Sequence, residues 1–274
     1  MKPVILFRKS FELENEFNIA KKYFNCVESR VNLKDQLVIG RYSVLPFYNE
    51  LEKDLMSQGS KLINSHAQHQ YIANFEYYED LVKHQVADGA NGPIYLTPKT
   101  YFELKDVPKN GGPYIVKGKT NSRKQQWKEK MYAEDYQKAV SIYCDLMNDP
   151  MISEQGVIIR EFIPLKTFEV GINGQPFTNE WRFFYYKKEC LAVNYYWSQC
   201  SHIPKLENLN PQAYLCAQQA ASLVKDRVNF FVVDVAEGSD GIWRVIELND
   251  AQMSGLSEID PDVLYSNLSK VFKE

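Results

Sequence analysis

Residues Phe230–Asp250 read FFVVDVAEGSDGIWRVIELND. Two apolar runs, Phe230 to Ala236 and Ile242 to Leu248, flank the turn-forming stretch EGSDG, which predicts an antiparallel hairpin. Side chains alternate faces along a strand. Glu247 and Asn249, two apart, are therefore expected on one face, together with Trp243 and Val245. Asp234 stands in the first strand with apolar residues on either side. A carboxylate in such a run is costly to bury unpaired, and a cation removes that cost. Mg²⁺ takes a few oxygen ligands along with water and substrate phosphates. Asp234, Glu247 and Asn249 offer it two carboxylates and an amide oxygen from adjacent strands. Glu247 and Asn249 alone would sooner suit a solvated polar face; Asp234 inside the apolar strand reverses that and favours the metal.

Upstream, Glu180 to Tyr186 and Cys190 to Tyr196 read as another antiparallel pair about Lys187-Lys188-Glu189. Ala213, Cys216, Ala217, Ala220, Leu223 and Val224 give one apolar helical face. Gly156 to Ile163 is β-branched and apolar, hence a buried strand. Tyr114 to Lys117 is a strand after the break Gly111-Gly112-Pro113. Between them, Ala133 to Met147 is helical, and the basic stretch KTNSRKQQWKEK over residues 119–130 is expected to be a mobile or solvated loop. Residues 71–84 carry helical spacing, Ala87 to Pro93 is rich in Gly and Asp and expected to be a loop, and a last helix spans Pro261 to Phe272. The chain begins with a strand at Val4 to Phe7, helical spacing from Phe11 to Phe24 and a strand at Gln36 to Ile39. A helix at Tyr48 to Met56, stopped by Gly59, and a short strand at Lys61 to Ser65 follow. That opening predicts a small α/β unit over residues 1–65. The whole reads as a multi-lobed α+β protein rather than a doubly wound sheet.

The 274 residues carry a net charge of -3, with 45% apolar and 14% aromatic side chains. Such a chain has no electrostatic footprint for nucleic acid or an anionic membrane. Its five cysteines are odd in number and lack C-x-x-C spacing, which argues against a disulfide framework or zinc site and fits a reducing cytoplasm. No run approaches a signal peptide or membrane span. His66, His69 and His84 read as surface or loop residues. Lys117, at a strand end, can reach a phosphate as a point charge, or simply snorkel to solvent. The strand Val157 to Pro164 can hold an adenine edge with its backbone, or can be plain core.

In order, VKGK, VIIREFIP, EWRFF, VVDV and IELND resemble the ATP-grasp superfamily, and most closely its R2K clade. The resemblance covers about residues 62–256. It implies an ATP-grasp domain at 66–274, with a lid-type subdomain at about 75–163 and a metal-binding lobe at about 164–274. By the same resemblance, Lys117 contacts the ATP phosphates, with Lys119, Ser122 and Lys124 beside it. Glu161, Phe162 and Ile163 form the adenine hinge, and Glu169 belongs to the nucleotide site. Asp234, Glu247 and Asn249 hold Mg²⁺, and Arg182 meets the transferred phosphate. Tyr195, Tyr196, Trp197 and Ser198, with Asp250, Ser254 and Gly255, are placed near the acyl end of the site.

The activity implied is ligation: a substrate carboxylate becomes an acyl-phosphate that an amine or similar nucleophile captures, releasing ADP and phosphate. Those substrates are small molecules, peptides or proteins. The chain departs from the family pattern in three places. An earlier lysine is replaced in the region of Gln68, His69 and Gln70. The loop after the strand lysine, often glycine-rich in the family, reads Thr120-Asn121-Ser122-Arg123-Lys124 here. Val232 stands where some relatives have arginine, which leaves more of the work to Arg182. A kinase on the same fold would accumulate a phosphorylated product instead of an amide, and a non-catalytic module would bind ATP without turnover. A nucleic-acid ligase would need a K-x-D-G motif, which Lys117-Gly118-Lys119-Thr120 is not.

Overall fold

The computed structural model describes residues 2–8 and 13–272. Four parallel strands open the chain, in the order Asn25–Val27, Val4–Phe7, Leu37–Arg41, Lys61–Leu62. Every residue of Val4–Phe7 is buried, as a parallel strand covered on both faces requires. Phe11 and Glu12, where helical spacing begins, lie outside the described residues. The helix itself is Glu14–Ala20, and Asn25–Val27, at the end of that spacing, is an edge strand instead. Tyr48–Met56 is helical as expected. Gly59 follows at φ +75°, where a side chain would collide with Asp35.

Ser65 is a helix cap rather than a strand end. Its hydroxyl accepts from the Gln68 amide, and Gln68 Oε1 accepts from the Ser65 amide, a reciprocal capping box that starts the helix His66–Ala73. The helical spacing of 71–84 breaks at Phe75, whose φ is +65°, and resumes in Tyr77–Val82. Ala87 to Pro93 is not an open loop but the tip of a hairpin pairing Gln85–Gly89 with Gly92–Tyr95. Ala90 and Asn91 form its turn, flanked by the paired Gly89 and Gly92, the latter at φ +114°.

Two antiparallel sheets follow. One orders Thr100–Tyr101, Val157–Glu161, Tyr114–Gly118 and Tyr132–Ala133, and packs the helix Tyr136–Met147 through Val116, Ile142, Leu146, Val157 and Ile159. The other orders Glu189–Tyr195, Glu180–Tyr186, Phe230–Glu237 and Trp243–Asp250. The helix Pro211–Val224 covers one face. The opening unit and the helix Pro261–Val271 cover part of the other, where Ile5, Phe7 and Ile39 meet Phe184, Phe230, Val232 and Leu268. Val232 is therefore core, with no exposure.

The hairpin Phe230–Asp250 differs from its expected pleat in one respect. Asp234 pairs with Glu247 but Val235 pairs with Val245, so Ile246 is an extra residue, a β-bulge. Trp243, Val245 and Leu248 all enter the same hydrophobic core. Glu247 and Asn249 consequently lie on the face opposite Trp243 and Val245, not the shared face that simple alternation predicts. The Ile246 carbonyl accepts a hydrogen bond from Arg160 Nη1 at 2.5 Å. Arg160, a buried charge in the strand Val157–Glu161, also bonds Thr97 and Thr100, and so ties the two sheets together.

The opening unit is joined to the last sheet by buried polar groups. Arg41 pairs with Glu16 at 2.8 Å and donates to the carbonyls of Ala251 and Ser254. Tyr265 donates to the same Glu16 carboxylate. Gly40 N–H donates to Gln252 Oε1 at 3.1 Å, and Asn64 donates to Asp250 and to the Phe230 carbonyl. These contacts fix the turn after Asp250, which borders the site.

Candidate functional site

Two cavities meet between the sheets. The first, of about 350 Å³, is lined on its apolar side by Ile115, Met131, Phe162, Ile163, Leu165 and Ile246, and on its charged side by Lys117, Lys124, Glu180 and Glu247. The second, of about 240 Å³, is polar. The segment 120–124, Arg182, Tyr196, Asn249, Asp250 and Ser254–Gly255 line it, together with Ser43, Leu45 and His69. Lys117, Ser122, Lys124 and Glu247 line both.

The strand Tyr114–Gly118 carries Lys117 across from Glu247, with Nζ 2.6 Å from Oε1. Burial alone would raise the Glu247 carboxyl's pKa, but Lys117 and Lys124 hold it below the usual carboxylate range. Asp234, 1% exposed, receives two parallel hydrogen bonds at 2.8 Å from Arg182, and Asn249 Nδ2 lies 3.4 Å from its Oδ2. Arg182 also donates to the Gly255 carbonyl. The bulge thus sets two carboxylates side by side, each neutralised by its own buried cation. Among the described residues no three Asp, Glu, His or Cys side chains form a closed metal cage. The donors are hard oxygens, so Asp234, Glu247 and the Asn249 amide fit Mg²⁺ whose shell is completed by phosphate and water.

Within 119–130, Thr120 to Ser122, Lys124 and Trp127 border the cavities, while Gln125, Gln126, Lys128 and Glu129 stand in solvent as expected. Lys124 donates to the Tyr196 hydroxyl, and its Nζ lies 4.3 Å from the Tyr196 ring centre and 4.9 Å from that of Trp197. Arg182 stacks on the same tyrosine. Lys119 turns away: its Nζ lies over Phe102, and it lines neither cavity. Glu161 lines the first cavity and accepts from Tyr101 at 2.6 Å. Glu169 lines neither cavity; its carboxylate accepts from Ser201 N–H and Oγ. Of the residues expected at the acyl end, Tyr196, Asp250, Ser254 and Gly255 line the polar cleft. Trp197 lines the first cavity instead, and Tyr195 is core.

Glu180 and His69 were not singled out by sequence reasoning. Glu180 is 4% exposed, accepts from Thr178 and faces the first cavity. Burial raises its pKa to about 7, although Lys124 opposes the shift. Its place two residues before Arg182 on one strand was the available signal. His69, read as a surface histidine, is 1% exposed, stacks on Tyr48 and contacts Asp250 through Nδ1 at 3.1 Å. His66 and His84 are half-buried. Gln68, in the stretch that replaces the earlier lysine, serves the helix cap and Asn229.

The family model for the ATP-grasp domain, R2K clade family 3, matches residues 107–268. No curated protein sequence matches the chain. Among solved structures, a RimK domain protein ATP-grasp from Sphaerobacter thermophilus DSM 20745 is 15% identical, with 97% of this chain and 99% of that one covered and a TM-score of 0.57. The D-cycloserine synthetase DcsG is 12% identical over 98% and 99%, with a TM-score of 0.56. The ATP-grasp ligase PsnB, solved with a minimal precursor, Mg and ADP, is 12% identical over 99% and 98%, with a TM-score of 0.54. The chain has the ATP-grasp fold and belongs to R2K clade family 3 of the ATP-grasp domains.

Proposed function

With that membership as premise, we propose that the chain is an ATP- and Mg²⁺-dependent ligase. It activates a carboxylate as an acyl-phosphate and joins it to an amine or similar nucleophile, releasing ADP and phosphate. The observation that carries this reading is the shared wall. Lys117, Ser122, Lys124 and Glu247 border an apolar cavity suited to a nucleotide base and a polar cleft suited to a second substrate. A phosphoryl group handed between the cavities passes these side chains. A module that only binds nucleotide has no use for the second cleft.

The base lies against Phe162 and Ile163, and the phosphates run toward Lys117, Ser122 and Lys124. Asp234, Glu247 and Asn249 hold Mg²⁺, which when bound offsets charge on the transferring group. Lys117 and Arg182 then move from carboxylate to phosphate oxygens, a change of partner that keeps both cations compensated. Arg182 reaches the polar cleft, where the acyl-phosphate forms. Residues 119–130 cover the phosphates and exclude water. In domain terms, about 75–163 acts as the lid subdomain and about 164–274 as the metal lobe, behind the unit 1–65. One solved neighbour is a D-cycloserine synthetase and another, the ligase PsnB, was solved with a precursor peptide, and the substrates here are assigned to the same classes, small molecules or peptides. Calorimetric titration with ATP, with and without Mg²⁺, tests the reading on the wild type and on Glu247→Gln. Mg²⁺-dependent binding weakened in the variant, with ADP release on adding carboxylate and amine, is expected. No ATP binding by the wild type overturns it.

A further inference from the structure

Among the described residues, four buried side-chain polar atoms lack a hydrogen-bond partner, and one is His69 Nε2. Of those four residues only His69 lines the polar cleft. A buried nitrogen left without a partner costs free energy, and such atoms mark places completed by something outside the chain.

The protonation of the ring follows from its neighbours. Asp250, 4% exposed, receives hydrogen bonds at one oxygen from Asn64 Nδ2 at 2.9 Å and the Gln252 amide at 3.0 Å. Its other oxygen receives Tyr48 OH at 3.3 Å and His69 Nδ1 at 3.1 Å. A carboxylate only accepts, so Nδ1 carries a proton, and in the neutral ring Nε2 presents a lone pair. Tyr48, at 4.3 Å between ring centres and nearly parallel, fixes the plane of the imidazole. The result is a histidine oriented by an aspartate, with its basic nitrogen uncommitted, in the cleft that also holds Lys124 and Arg182. His69 and Tyr48 lie outside the stretch matched by the family model and Asp250 lies within it, so the arrangement joins the opening part of the chain to the matched domain.

We propose, resting on the ligase reading above, that His69 Nε2 receives an N–H or O–H of the nucleophile and takes its proton as it attacks. The nucleophile's lone pair forms the new bond to the acyl carbon. The carbon–oxygen bond to phosphate breaks, and inorganic phosphate leaves with that electron pair. The released proton passes to Nε2, beside the negative Asp250, and from there to solvent. The ligand class implied is a hydrogen-bond donor that must lose a proton, such as an alkylamine or ammonia, rather than a second anion.

The test uses the full chain with ATP, Mg²⁺ and a pool of the common amino acids as carboxylates, and compares two nucleophile probes. Ammonium must shed a proton to react; hydroxylamine is largely neutral already and traps acyl-phosphate as hydroxamate. Asn at position 69 can keep the donor to Asp250 while removing Nε2, whereas Gln places an oxygen acceptor near the Nε2 position. His69→Asn is expected to lower ammonia-dependent product about a hundredfold while hydroxamate formation, which does not need the base, persists. His69→Gln should recover affinity for the amine without recovering its rate. Equal loss with both probes, or no loss with either, overturns the proposal. If the wild type turns over neither probe, the pool lacks its carboxylate, and the ligase reading is decided by ATP binding, whose absence overturns it. The histidine is then decided by ¹⁵N NMR, its signal assigned from its disappearance in His69→Asn. A bare Nε2 supports the assignment, and an Nε2–H tautomer overturns it.

Discussion

The apolar cavity and the polar cleft share four residues but are built in opposite ways. Most of the apolar wall comes from short stretches such as Phe162 to Leu165, within strands and their ends. The cleft is assembled from residues within 43–45, 69–73, 117–124, 182, 196 and 247–255, so stretches far apart in the sequence, the opening unit among them, meet there. The first can be altered locally. The second depends on the docking of the opening unit, and a change far from the chemistry reaches it. Each experiment below acts on one cavity, on the other or on the wall between them.

The wall gives the largest effect. Glu247→Gln removes a carboxylate from both cavities and leaves Lys117 without its charged partner. Turnover should fall by about 10³-fold or more, read as ADP release, and nucleotide binding should lose its dependence on Mg²⁺. A variant that keeps wild-type Mg²⁺ dependence would separate the cavities and remove the wall's role. Arg41→Ala acts on the cleft alone. It leaves Glu16 buried without its cation and frees the carbonyls of the 251–254 turn. A loss of about 3–5 kcal/mol in stability is expected from the denaturation midpoint, with weaker binding on the cleft side and little change in ATP affinity.

Glu180 gives a pH signature on the nucleotide side. Its carboxyl, raised to about 7 from the ordinary 4.5, holds a proton in the folded state that the unfolded chain has already released. Stability therefore falls as pH rises from about 4.5 to about 7 and stays lower above that window. Glu180→Gln should abolish this fall, leaving the variant up to about 3 kcal/mol more stable than wild type at pH 8 and similar to it at pH 4. Chemical denaturation at the two pH values reads the difference. Phe162→Ala, confined to the apolar wall, gives the smallest effect. A loss of about 1–2 kcal/mol, roughly tenfold in ATP Kd by calorimetry, is expected with Mg²⁺ dependence unchanged.

The same contrast explains what could be read from the sequence. The strands of the last sheet and the helices Tyr136–Met147 and Pro211–Val224 were legible because apolar periodicity is a local signal. Motif order singled out Glu161 to Ile163, Glu247 and Asn249, which do border the cavities, and Asp234, which pairs with Glu247; the hinge and ligand roles are proposals. The bulge was not legible, because an extra residue leaves no mark in composition; it appears only when Val235 is paired with Val245. The burial of His69 was illegible for a different reason. Its helix has little amphipathic character of its own, and the ring is enclosed by Tyr48 and Asp250, which are brought to it from 21 residues before and 181 after. The Gly- and Asp-rich stretch from Ala87 was misjudged because the residues that suggest a loop also make a tight hairpin turn.

The extra residue at Ile246 sets a reading frame. Before it, odd-numbered positions of the strand belong to the oily interior; after it, odd-numbered positions belong to the chemistry. Arg160 holds the displaced carbonyl where the two phases join. Exchanging the Ile246 side chain changes one contact. Deleting the residue leaves Val245 opposite Val235 and Glu247 opposite Asp234 with their faces unchanged, and removes only the carbonyl by which Arg160 ties this strand to the other sheet.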